Sequence, residues 1–470
     1  MVFSSLTFLF LFLPITLLVY YIVPDRFKNA VALLASIFFY AWGEPVYVVL
    51  MVLSILFNYF SGLDIENNID SKELAKKKVI FAVVINVLIL IFFKYYGFFI
   101  ENFNAVMPFD LQYRELPLPI GISFYTFQAL SYIIDVYRKK VPAQQNIINF
   151  ALYISMFPQL IAGPIVRYED IAVQIESREH SKDKFGEGTI YFIIGLAKKV
   201  ILANSLGGIF ENIESMSVGS FSVLTAWVGV ACFAFHIYFD FSGYSDMAIG
   251  LGKMLGFDFK KNFDYPYVSK SITEFWRRWH ISLGTWFREY VYIPLGGNKG
   301  DTFFNIRNLM IVWMLTGIWH GAAWNFVMWG LYYGVILCLE KFVWGRKLRK
   351  LSPVVQHIYA IVIIMIGWVL FFSDTIGYAF SYLGVMFGLG ASGLIDKMGL
   401  FLIVTNWLLI LFAVLGSSKR GYLLVKSLYI GFNSKKAMSI AAVAVYVIMF
   451  LLTITFLVTE SYNPFLYFRF

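Results

Sequence analysis

Apolar residues in this chain gather in runs of roughly 20, the length that crosses a bilayer, with short polar segments between them. Such runs extend over Val2 to Val23, Ala30 to Phe60, Val79 to Ile100, Leu118 to Tyr137, Ile147 to Ile165, Thr189 to Phe210, Phe221 to Phe239, Leu309 to Leu339, His357 to Phe372, Gly399 to Leu415 and Ala437 to Val458. The pattern predicts an all-α polytopic membrane protein with about eleven transmembrane helices. Gly43-Glu44-Pro45 interrupts the second run and should break or kink it, so a re-entrant hairpin fits as well as one tilted span. Met1 to Val23 is too long for a signal-peptide core and lacks a basic leading region and a small-residue cleavage site, so it reads as a retained first span.

One stretch departs from this pattern. Gly256 to Asn308 mixes charges, prolines, glycines and aromatics over about 50 residues, and irregular segments that long inside a compact protein are usually functional. Within it Ile272, Phe275, Trp276, Trp279, Leu283, Trp286, Phe287 and Tyr290 recur at three- and four-residue spacing. Glu274, Arg277, Arg278, Thr285 and Arg288 take the other face. This predicts one amphipathic helix, whose simplest placement is flat at the headgroups with its arginines on phosphates. Seven of the 12 tryptophans lie between Trp276 and Trp329, a density that an interfacial belt alone does not explain.

Composition sharpens the class: 59% of residues are hydrophobic and 14% charged, more apolar surface than one soluble core can bury. The net charge of +9 comes from Lys and Arg at the ends of apolar runs, the ordinary positive-inside signature, and gives no support to nucleic-acid binding. Lys76-Lys77-Lys78, Arg138-Lys139-Lys140, the cluster Arg346, Lys347, Arg349 and Lys350, Lys419-Arg420 and Lys435-Lys436 are therefore expected on the cytoplasmic side. The acidic-leaning loop from Glu101 to Glu115 and both termini are expected outside. Cys232 and Cys338 lack metal-like spacing and read as packing residues, so neither a disulfide framework nor a metal site is expected. No internal repeat or linker divides the chain, and a single domain over residues 1–470 is expected, with its chemistry concentrated at about 230–335.

Candidate chemistry follows from polar residues in apolar surroundings. Thr316-Gly317-Ile318-Trp319-His320-Gly321-Ala322-Ala323-Trp324-Asn325 interrupts the Leu309 to Leu339 run. An ionisable histidine at membrane depth is costly and marks function unless a neighbour satisfies it. Gly317 and Gly321 strip bulk from its helical face, so a helix or substrate can approach closely. A neutral imidazole in a desolvated site suits proton transfer from a hydroxyl; the alternative is a hydrogen-bonded core histidine. His236, with Asp240 one turn later, reads as two buried groups satisfying each other rather than as a metal site. His280 closes the Trp276-Arg277-Arg278-Trp279-His280 string, while His180 and His357 look like exposed residues. The turn Pro294-Leu295-Gly296-Gly297-Asn298-Lys299-Gly300 is expected to be flexible, with amides and a lysine able to hold an anion such as a coenzyme phosphate.

Four strings together resemble the membrane-bound O-acyltransferase family: Phe239-Asp240-Phe241-Ser242-Gly243-Tyr244-Ser245-Asp246, Phe275-Trp276-Arg277-Arg278-Trp279-His280-Ile281-Ser282-Leu283, Tyr292-Ile293-Pro294-Leu295-Gly296-Gly297 and Gly317-Ile318-Trp319-His320-Gly321. Met1-Val2-Phe3-Ser4-Ser5, Phe39-Tyr40-Ala41-Trp42-Gly43-Glu44-Pro45, Ala162-Gly163-Pro164-Ile165 and Phe465-Leu466-Tyr467-Phe468-Arg469-Phe470 are similar to its bacterial alginate O-acetyltransferase branch. The resemblance implies transmembrane, re-entrant and interfacial helices around a central tunnel in the bacterial cytoplasmic membrane. It implies that His320 is the catalytic histidine and His280 a second histidine of the bacterial branch. By the same resemblance, Trp276, Arg277, Arg278, Trp279, Arg288, Gly296, Gly297, Trp319 and Asn325 would bind substrate or donor. The donor would be cytoplasmic acetyl-CoA, with no tightly bound cofactor. The acceptor would be hydroxyls of an alginate-like exopolysaccharide, cellulose or peptidoglycan, reached through an extracytoplasmic serine-hydrolase-like partner.

A different class of function fits some of the same residues. In a proton-coupled transporter or flippase of a lipid-linked or anionic substrate, His236, Asp240 and His320 would form a proton relay. Against it stand the missing inverted repeat and the aromatic, arginine-bearing stretch.

Overall fold

The computed structural model describes residues 1–114, 116–161, 163–421 and 435–459. Glu115, Ala162 and the closing Phe465 to Phe470 string lie outside the described residues, as do the side chains of Lys435 and Lys436. All regular structure among the described residues is helical. A helix satisfies its own backbone in hydrocarbon, which an open sheet edge cannot do.

Among the described residues, six helices are long and apolar enough to cross a bilayer: Tyr47–Asn67, Lys72–Asn104, Lys182–Glu214, Val223–Met254, Trp324–Leu348 and Pro353–Phe372. A seventh results if Lys397–Thr405 and Trp407–Gly416, bent by 66°, form one broken span. The number falls below the sequence expectation because several apolar runs are not single exposed spans. Gly43-Glu44-Pro45 does end a helix, splitting the second run into Asp25–Gly43 and Tyr47–Asn67. Ile147 to Ile165 breaks at Met156 into Ile147–Ser155 and the short Phe157–Leu160. Leu118 to Tyr137 yields Ile122–Tyr137, whose side chains are nearly all buried, so its apolarity serves packing instead of lipid.

The chain divides into two compact units, Met1–Phe192 with Ser245–Lys260, and Ile193–Tyr244 with Lys261 onward. In the first, Phe3, Phe8, Phe12, Phe39 and Phe157 form an aromatic cluster with ring centroids 5.0–6.5 Å apart. Asn58 and Asn86 exchange two amide hydrogen bonds between neighbouring apolar helices, satisfying polar groups that lipid could not. His180 is half-buried here rather than exposed, with its Nε2 3.0 Å from the Tyr20 hydroxyl.

In the second unit, the expected single run from Leu309 to Leu339 is a helical hairpin of Thr302–His320 and Trp324–Leu339, turning at Gly321-Ala322-Ala323. Two glycines set its spacing. A Cβ on Gly317 would lie 3.0 Å from Gly330 Cα, and one on Gly330 would lie 2.4 Å from the Trp313 carbonyl oxygen. The helices therefore pack backbone against backbone, as small residues permit in apolar surroundings.

The expected amphipathic helix from Ile272 to Tyr290 is likewise divided, into Ile272–Arg278 and Ile281–Phe287 with a π-helical turn at Arg288–Tyr292. Its apolar face survives the division: Ile272, Phe275, Trp279, Leu283, Trp286, Phe287 and Tyr290 are all buried. The short helices are fastened by distant side chains. The buried Glu340 carboxylate accepts from the amides of Ile272 (2.7 Å) and Thr273 (2.9 Å). Such capping replaces the intrahelical partners that a first turn lacks.

Candidate active site

The break that divides the amphipathic segment falls at Trp279 and His280. Trp279 is extended, and His280 adopts a left-handed backbone with φ 45° and ψ 55°. That conformation costs an L-residue about 1–2 kcal/mol and is ordinarily left to glycine. At the hairpin turn, His320 is the last residue of its helix; Gly321 follows it in extended backbone, and a Cβ there would lie 2.1 Å from the Phe326 ring.

These two local irregularities converge. His280 and His320 line one cavity in the second unit, together with Ile237, Phe241, Trp279, Trp319, Trp329, Trp368 and Phe371. The His320 ring stands nearly perpendicular to those of Trp329 and Phe371, with centroids 5.0 and 5.3 Å away. The His280 ring meets Trp319 at 6.2 Å and Phe263 at 6.1 Å. The walls are thus aromatic and the polar groups few, the usual make-up of a site that excludes water around a small reacting centre.

His280 lies outside the membrane-crossing helices, and burial lowers its pKa from the ordinary 6.5 to about 4, so its imidazole is neutral at physiological pH. Its Nδ1 has no hydrogen bond to another residue among the described residues. The folded chain holds this proton more weakly than the unfolded chain, so the stability contribution is complete above pH 6.5 and is lost as pH falls toward about 4. The melting temperature of the detergent-purified protein should fall across that window, with a shallower fall in His280→Asn. Parallel curves for the two proteins would show that His280 is not the group responsible.

The remaining predicted site residues separate. Trp279 and Trp319 line the cavity, while Trp276 stands behind it, 4.7 Å from Trp313, 4.8 Å from Tyr333 and 5.5 Å from Trp329 between ring centroids. Buried Asn325 reaches toward the Phe371 carbonyl at 3.4 Å, joining the hairpin to the cavity's far wall. Arg278 is engaged by Glu274 at 2.9 Å and Asp264 at 3.3 Å. Arg277 and Arg288 are exposed and make no ion pair among the described residues, leaving them able to meet an anion.

The amides of Gly296 and Gly297 are already engaged within the chain. Their amides donate to the Ile293 and Tyr292 carbonyls, and Lys299 N donates to Gly296 O. Asn308 Nδ2 donates to Gly297 O at 3.1 Å, and Asn298 Oδ1 accepts from Tyr292 and Lys341. The turn is pinned, and it precedes a 19-residue helix that separates it from His320 by about 28 Å.

His236 and Asp240 also find partners other than those the sequence suggested. Lys199 Nζ lies 2.6 Å from Asp240 Oδ1, both side chains almost fully buried, and His236 Nδ1 donates to the Ala203 carbonyl at 2.7 Å. Both partners belong to a π-helical turn, Lys198–Ala203, in which the displaced backbone frees a carbonyl. His357 is not simply exposed either, since its Nδ1 donates to Ser269 O at 3.1 Å. Sequence reasoning missed Lys199, Glu340 and Asn262; each has a lysine beside it in the chain (Lys198, Lys341 and Lys261), so no local pattern marks it as buried.

The sequence profile described as MBOAT, membrane-bound O-acyltransferase family, matches residues 137–385. A protein described as a probable alginate O-acetylase of Azotobacter vinelandii is 44% identical over 396 residues, covering 83% of this chain and 79% of that protein. One of Pseudomonas putida with the same description is 38% identical over the full length of both. A peptidoglycan O-acetyltransferase of Helicobacter pylori is 35% identical over 430 residues, 84% of this chain and 81% of that protein.

Proposed function

Because this chain belongs to the membrane-bound O-acyltransferase family, we propose that it takes an acetyl group from cytoplasmic acetyl-CoA and passes it toward hydroxyls of an extracytoplasmic polysaccharide. It is a multi-pass membrane O-acetyltransferase, and the bacterial cytoplasmic membrane is its expected location. The observation that carries the reading is the placement of two histidines in one aromatic, largely enclosed cavity.

In this reading His320 takes the proton of the acceptor hydroxyl as its oxygen attacks the thioester carbonyl. The carbon–sulfur bond then breaks, and the imidazolium returns the proton to the departing thiolate. Holding donor and acceptor together in a dry site can remove about 7–11 kcal/mol of barrier, so the histidine need not supply the whole acceleration. Arg277 and Arg288 are the available cations for the donor's phosphates. The acceptor in the cavity is a hydroxyl of the polysaccharide or of an extracytoplasmic partner that relays the group to it. The alginate and peptidoglycan named for the relatives are the first polymers to test.

Purified protein in lipid nanodiscs, given acetyl-labelled acetyl-CoA, should release free CoA thiol faster than protein-free discs and transfer label to an added polymer. A transporter or flippase would leave the thioester intact. Absence of thiol release with correctly inserted protein would overturn the acetyltransferase reading.

A further inference from the structure

His280 is one of three residues outside glycine with a positive φ among the described residues, and the only one of the three that lines the cavity. Strain of this kind persists where the surroundings over-determine it. The surroundings here are one short segment. Asp264 N donates to the Arg278 carbonyl at 2.9 Å, ahead of the strained residue. Beyond it, the Asn262 carbonyl accepts from Ile281 N at 2.9 Å, and Asn262 Oδ1 accepts from both Ser282 N (3.0 Å) and Ser282 Oγ (2.9 Å).

Residues 262–264 therefore grip the chain on both sides of Trp279 and His280 and make no backbone hydrogen bond to either. The gripped pair bulges, and both side chains become cavity wall. Asn262 is itself 2% exposed, so its amide is committed to this grip and cannot serve as a solvated surface group. It also stands in for the missing first-turn partners of Ile281–Phe287, so the helix start and the strained residue share one support.

We propose that Asn262 is a positioning residue for acyl transfer, holding His280 in its left-handed conformation so that its imidazole stays in the cavity with His320. The inference rests on the acetyltransferase reading above. A histidine placed by ordinary helical backbone at this point would continue the helix of residues 272–278, and its side chain would leave the wall. The neutral state that burial gives His280 fits a group that exchanges hydrogen bonds with substrate without adding charge to the cavity.

The test uses the full-length chain in nanodiscs, with kcat, KM for acetyl-CoA and melting temperature measured together. Asn262→Ala should lower kcat at least tenfold with KM changed less than twofold. Asn262→Asp, which keeps an acceptor oxygen at the same place, should recover to within about threefold of wild type. His280→Asn, a side chain that tolerates left-handed backbone, should melt no lower than wild type yet lose a similar factor in kcat. Wild-type turnover in Asn262→Ala, or in His280→Asn, would overturn the proposal. So would a loss in Asn262→Ala that Asp fails to rescue, since that is a merely structural effect. If Asn262→Ala does not give folded protein, His280→Asn and Ser282→Ala decide, the latter with a partial loss of kcat at unchanged KM. Inactive wild-type protein would instead defeat the acetyltransferase reading itself.

Discussion

His320→Ala should lower acetyl transfer by about 10²- to 10⁴-fold, the range that a general acid–base group supplies, while the protein still inserts and folds. The expectation of retained folding comes from where His320 sits. It is half-buried at the tip of the hairpin, past the Gly317–Gly330 contact that holds the two helices together. Its ring meets cavity walls, and removing it enlarges a space that already exists. Polymer acetylation in cells, normalised to the amount of protein in the membrane, is the measurement. Near-normal acetylation by well-inserted His320→Ala would end the assignment of His320 as the base.

Asp240→Leu should destabilise the protein by roughly 3–5 kcal/mol, because it leaves the Lys199 ammonium inside the unit without its carboxylate. Lys199→Met together with Asp240→Leu should recover most of that loss, since two apolar residues of similar volume need no charge partner. Monodisperse yield and melting temperature in detergent distinguish the cases. A single Asp240→Leu variant as stable as wild type would mean that the pair does not hold these helices together. A double variant no better than the single would mean that Asp240 acts through contacts other than Lys199. Asp240 is adjacent in sequence to Phe241 and about one helical turn from Ile237, both of the cavity wall, so the folded double variant also shows whether that wall keeps its activity.

Features carried by neighbours in sequence were legible before the structure. The break at Gly43-Glu44-Pro45 follows from local backbone preference. The buried face from Ile272 to Tyr290 follows from spacing, even though the segment is not one helix, because the bulge at Trp279 and His280 preserves the inward direction of the residues on either side. His320 was visible as an imidazole among apolar residues.

Features carried by distant partners were not legible. Nothing near Ile272 announces that Glu340 caps its helix, and nothing near His280 announces Asn262. Hydropathy also cannot tell an apolar run that faces lipid from one that turns back on itself, which is why Leu309 to Leu339 read as one span. At the Gly296-Gly297 turn the glycines show that the chain can turn and say nothing about where their amides then donate.

The contact between Gly317 and Gly330 has a mechanical consequence for the cavity. Two backbones in direct apposition have no layer of side chains between them that could change rotamer and yield, so the hairpin moves as a beam or not at all. His320, fixed to the end of that beam, is the stationary jaw of the site. The opposite wall, the two-residue bulge of Trp279 and His280, is held instead by hydrogen bonds to residues 262–264 on either side of it.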